Sequence, residues 1–128
     1  MSEFAEELRH RTFRYTLRII RFCRKLPDTW VEREVGKQLL RAGMGVTGNY
    51  WSCCRGRSGK EFVAKLGVVC EADESVLWLT AIIQAPLSED SDAKDLLGEG
   101  REIRAILSKS HKTAKDNRRL NKRSATPT

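Results

Sequence analysis

Apolar residues in this chain recur every three to four positions, and no stretch alternates with period two. That pattern commits the chain to helices and leaves no room for a sheet. Pro27, Pro86 and a glycine-containing turn at Arg55–Gly59 cut it into four segments. The first is predicted to run from about Phe4 to Leu26, with Leu8, Phe13, Tyr15, Leu17, Ile19, Ile20 and Phe22 on a broad apolar arc. The second follows a cap at Asp28 or Thr29 and runs to about Cys54 along Val31, Val35, Leu39, Ala42, Val46, Tyr50 and Cys53. Ser58 is the expected cap of the third, with Glu61 completing a capping box. Phe62, Leu66, Val69, Val76 or Leu77, and Thr80 carry its stripe to about Ala85. The fourth spans about Asp92–Arg118 on Leu96, Leu97, Ile103, Ile106 and Leu107. At 128 residues the chain suits one domain. The expectation is an all-α protein, an antiparallel up-down-up-down four-helix bundle over residues 1–116, with a flexible basic tail at 117–128.

Charge divides along the chain. Residues 1–57 carry 12 basic and 6 acidic side chains, residues 58–100 carry 3 and 9, and residues 101–128 carry 9 and 2. The whole chain is +7, which makes an anionic partner plausible. Such an order also suits helices that pair electrostatically. On the first helix Arg11, Arg14, Arg18, Arg21 and Lys25 fall within about 80° of one another. In the C-terminal run Lys109, Lys112, Lys115, Arg119 and Lys122 keep helical spacing. Binding to a nucleic-acid backbone needs several cations at once, because affinity comes from releasing many counterions. These ten residues are therefore the candidate RNA- or DNA-binding groups. An ordinary solvated helix face is the competing reading. Neither stripe carries interleaved aromatics, so contacts are expected to go to the backbone rather than to stacked bases.

No catalytic constellation is present. His10 and His111 sit among charged neighbours on the terminal helices, and Glu71 and Glu74, one turn apart, read as interhelical pairing groups. Residues Gly43–Gly48 fit G-x-G-x-x-G, but a helix precedes them where dinucleotide binding needs a strand. Gly56–Lys60 lacks the spacing of a phosphate loop. Cys23, Cys53, Cys54 and Cys70 form neither a CxxC pair nor an evident disulfide framework. No metal, no cofactor and no enzymatic activity are expected. The uncharged runs are too short to span a membrane, and the N-terminus lacks the apolar core of a signal peptide. A reduced, cytoplasmic protein with no membrane partner is the expectation.

The middle of the chain has a more specific pattern. Gln38-Leu39-Leu40-Arg41-Ala42 leads into Gly45-Val46-Thr47-Gly48-Asn49-Tyr50, followed by Ser58, Phe62, Lys65-Leu66, Glu71, Glu74 and Trp78-Leu79. This order resembles the bacterial four-helix-bundle family named after 23S ribosomal RNA intervening-sequence proteins. The resemblance covers roughly residues 10–86. It implies a ring-like homopentamer. It also implies kinship with basic accessory proteins of diversity-generating retroelements, which bind nucleic acid and a reverse transcriptase. This chain departs from the family pattern at Gly48, where the family usually has Ala, and at Ser52, where it usually has Glu.

Gln38, Arg41, Gly45, Asn49 and Ser52 share one face of the second helix. The expected role is a tight helix seam, with Arg41 paired to Glu71 or Glu74. The functional expectation is a non-enzymatic homo-oligomer that binds RNA or DNA, beside a reverse transcriptase or other nucleic-acid enzyme. An adaptor that docks an acidic protein is the alternative.

Overall fold

The computed structural model describes residues 2–55 and 58–125, without the side chains of 58–66, 114, 124 and 125. It contains four helices in chain order: α1 (Glu3–Arg24), α2 (Trp30–Arg55), α3 (Ser58–Gln84) and α4 (Asp92–Ala125). No strand occurs among the described residues.

Local chemistry sets the helix ends. Ser2 caps α1 by accepting a hydrogen bond from the Ala5 backbone N–H at 3.1 Å. Glu3 and Glu6 in the first turn and Arg21 and Arg24 in the last complement the helix dipole. Before α4, the Asp90 carboxylate accepts the Asp92 N–H at 3.0 Å, and the Ser88 hydroxyl accepts the Asp90 N–H at 3.1 Å. The acidic connection thus folds onto its own backbone and presents the helix start.

Sequential helices run antiparallel. Along α1 and α2, Ala5 meets Tyr50, Thr16 meets Gly43 and Cys23 meets Gly36. Arg11 of α1 reaches Glu99 of α4, while Arg18 reaches Asp92. The core joins Tyr15, Ile19 and Phe22 to Leu39 and Val46, to Val68, Leu79 and Ile82, and to Leu96, Ile103 and Leu107. One buried polar node crosses it. The Tyr15 and Ser75 hydroxyls lie 2.9 Å apart, and Ser75 also donates to the Ala72 carbonyl at 2.7 Å. Burial pushes the Tyr15 phenol up to about 12, so it stays protonated and available as a donor.

Two expectations need correction. The segment expected as a flexible tail from residue 117 is helical as far as Ala125. No proline or glycine interrupts residues 101–125, and Lys, Arg and Ala favour helix there. The apolar arc of α1 is also narrower than its pattern: Phe13 is 41% exposed, and Leu17 and Ile20 are only half-buried. Ser58, Phe62 and Lys65 fall on α3, but their side chains lie outside the described residues.

Two glycines of α2 have opposite roles. A Cβ on Gly43 would stand 2.8 Å from Ile19 Cδ1 and 3.0 Å from Ile19 Cγ2. The Thr16 hydroxyl donates to the Gly43 carbonyl at 2.7 Å, so α1 and α2 touch at this point. A Cβ on Gly48 would meet nothing within 4 Å. Urea unfolding should therefore separate them. Gly43→Ala should lose about 1 kcal/mol or more through overpacking, whereas Gly48→Ala should gain about 0.5–1 kcal/mol of helix propensity.

Candidate nucleic-acid interface

The basic stripe of α1 divides in two. Arg11, Arg18 and Lys25, seven residues apart, face α4. Arg11 donates twice to Glu99, at 3.0 Å from Nε and 2.6 Å from its terminal nitrogen, and once to Glu102 at 2.6 Å. Arg18 pairs with Asp92 at 2.9 Å and Lys25 with Asp90 at 2.7 Å. These hydrogen bonds hold the Glu99 and Asp90 carboxyls below the usual carboxylate range. Three of the five cations of the stripe thus serve the bundle. Arg14 and Arg21 remain exposed, with no ion pair among the described residues.

The spacing carried a signal for this division. Cations at 11, 18 and 25 repeat every seven residues, and the acids at 92 and 99 repeat with the same spacing on a helix running the other way. Reading the basic stripe alone conceals the match.

The C-terminal cations are placed differently. Lys109, Lys112, Lys115, Arg119 and Lys122 are all exposed. Lys109, Lys112, Lys115 and Arg119 make no ion pair among the described residues. From Lys109 to Arg123 the chain has seven cations and one carboxylate, Asp116. At a rise of about 1.5 Å per residue, Lys109 to Lys122 spans about 20 Å. Arg101, also exposed, extends the same face towards the bundle.

The polar seam between α2 and α3 holds a different kind of group. Glu71 packs against Gly45, where a Cβ would stand 2.6 Å from its carboxyl carbon. Glu71 Oε2 is shielded from solvent without a hydrogen-bond partner. Desolvation, then the neighbouring Glu74 charge, pushes its carboxyl up, against a lesser opposing pull from Arg41. Arg41 itself is exposed and forms no ion pair among the described residues. The expected Arg41–Glu71 or Arg41–Glu74 contact pair is therefore absent. The close approach at Gly45 holds Glu71 against the helix, while Arg41 points to water. Asn49 lies near Gly67, Trp78 is half-buried against the core, and the Ser52 hydroxyl donates to the Gly48 carbonyl at 3.1 Å.

One cluster escaped the sequence reading altogether. Arg9 of α1 places its guanidinium carbon 4.0 Å from the centroid of the Trp51 ring on α2. The Phe13 and Trp51 centroids are 5.8 Å apart with planes at 46°. Aromatics are not interleaved along either basic stripe in sequence. Folding brings them together from two helices.

Among the described residues no group of three or more His, Cys, Asp or Glu could hold a metal ion. Cys23, Cys53, Cys54 and Cys70 are all free thiols. No described helix is long and apolar enough to cross a membrane.

Comparison with family models and with curated proteins finds no match. A solved structure does match: a protein of unknown function from the S23 ribosomal protein family of Bacteroides thetaiotaomicron. It superposes with a TM-score of 0.74 over 84% of this chain and 97% of that one, at 19% sequence identity. The two share a fold. At this identity the likeness supports a related helical family and extends no further than the four-helix bundle.

The environment of Glu71 sets a pH test. Its carboxyl is raised in the folded state, so that state binds its proton more tightly than the unfolded chain does. Its stabilising contribution is present below the ordinary glutamate range and is lost as pH rises through the raised folded value. Thermal melts should find Glu71→Gln more stable than the parent at neutral pH, by up to about 1 kcal/mol. The difference should close as the pH falls below about 4.

Proposed function

We propose that this bundle binds the backbone of RNA or DNA along the outer face of α4. The observation that carries the reading is the concentration of exposed cations from Lys109 to Arg123. A run of that density engages several phosphates together and releases their counterions. Arg14 and Arg21 add a second, smaller cationic surface on α1.

The protein acts without catalysis of its own, as a docking element beside an enzyme that works on nucleic acid. Self-association multiplies the number of α4 surfaces per particle and raises avidity. The α2–α3 side, with Leu77 56% exposed beside the seam of Glu71 and Glu74, is the face available for that assembly.

The test is a salt series. Anisotropy with a labelled duplex should give a log–log slope of about −4.5 per engaged α4, from roughly five phosphate contacts. Reversing Lys112, Lys115 and Arg119 to Glu should flatten that slope by about three. Arg11→Ala should lower thermal stability through the loss of its Glu99 and Glu102 contacts and leave the slope unchanged. Absence of binding at low salt would sink the reading. A tight acidic protein partner would then explain the cationic face instead.

A further inference from the structure

The face shared by α1 and α2 has a composition that backbone binding does not explain. Met44, Gly48, Trp51 and Arg55, spaced four, three and four, share the outer side of α2 and are all exposed. Met44 is 54% exposed and Trp51 36% exposed, and Phe13 of α1 stands beside the indole. Gly48 is a glycine within a helix with no packing neighbour to require it. It leaves a stretch of bare helix backbone one turn from Trp51. Such a gap admits close approach by another molecule.

Electrostatics narrows the choice of that molecule. No carboxylate occurs between Glu7 and Asp28 on the first helix, or between Glu34 and Arg55 on the second. The acids that neutralise α1 come from α4, on its other side. The α1–α2 face therefore keeps an excess of cations, with the exposed Glu6 one turn before Arg9 as its carboxylate, while exposing two aromatic rings. It also belongs to the same end of the bundle as the cationic half of α4. Antiparallel packing gathers there the start of α1, the end of α2 and the far part of α4. Exposed rings among cations, with room beside them for a flat group, suit an unpaired base whose phosphates lie on neighbouring arginines. A duplex keeps its bases stacked and cannot offer one.

We infer that Trp51 and Phe13, flanked by Arg9 and Arg55, form a stacking site for an unpaired base, so that the preferred ligand is single-stranded RNA or DNA. This rests on the backbone-binding reading above and adds the strand class to it. Gly48 keeps the approach to the indole open, and Arg9 holds the indole in place.

The experiment compares the full chain with Trp51→Leu, Trp51→Phe and Gly48→Leu. Each is titrated into a labelled single-stranded oligonucleotide and into a duplex of equal charge, at one salt concentration. Circular dichroism melts and particle mass are recorded alongside. The parent should prefer the single strand. Trp51→Leu should weaken single-strand binding at least fivefold, with duplex affinity within twofold of the parent. Trp51→Phe should restore most of the loss. Gly48→Leu, which gains helix propensity, should fold at least as stably and still lose single-strand affinity. Equal losses on both ligands, or none, would overturn the stacking site and leave backbone binding in place. A change in particle mass that tracks the loss would assign the face to assembly and overturn it too. If the parent binds neither ligand, both readings fall together.

Discussion

The line of ion pairs between α1 and α4 determines what the rest of the surface can do. Arg11, Arg18 and Lys25 take up Glu99, Glu102, Asp92 and Asp90 along the seam that closes the bundle. Solvent-facing pairs of this kind add little to stability, so the hydrophobic core supplies most of it. Their larger effect is on where charge remains. Four carboxylates of the α3–α4 connection and α4, Asp90, Asp92, Glu99 and Glu102, are committed to these cations. The cations of late α4 and of the α1–α2 face keep their field. A chain of modest net charge thereby acquires strongly cationic regions.

Much of the fold was legible in the sequence because helical periodicity and proline punctuation are local signals. Pro27 and Pro86 placed two of the three connections, and the stripe Leu39, Ala42, Val46, Tyr50, Cys53 is buried as its spacing requires. Late α4 was harder to read. Its cations resemble a disordered tail in composition, yet nothing in residues 101–125 breaks a helix. The functional surface was legible only in part. Five exposed cations on α4 could be read from spacing, but the fate of Arg11 depended on a partner 88 residues away. The meeting of Arg9, Phe13 and Trp51 depends on how α1 and α2 pack, and no single-helix pattern contains it.

The seam between α2 and α3 shows how small residues shift an electrostatic balance. Gly45 lets a carboxylate lie directly on a neighbouring helix, where water cannot reach one of its oxygens. The cation expected to compensate it, Arg41, stays in solvent instead. The result is a local conflict tolerated inside an otherwise consistent bundle. Such conflicts concentrate where a structure serves something besides its own stability.

The spacing of the ion pairs has a further consequence. Because the cations of α1 and two of the acids of α4 repeat every seven residues, the ladder is degenerate. Sliding α1 by two turns, about 10.5 Å, would set Arg18 against Glu99 and Lys25 against Asp92, and much of the charge match would survive. The slip leaves Arg11 and Asp90 without these partners, so electrostatics favours the native alignment only by the few exposed pairs lost. The rest of the discrimination comes from features that do not repeat: the hydroxyl pair of Tyr15 and Ser75, and the notch at Gly43 that receives Ile19. The ladder holds the helices together, and these two contacts tell them where to stop.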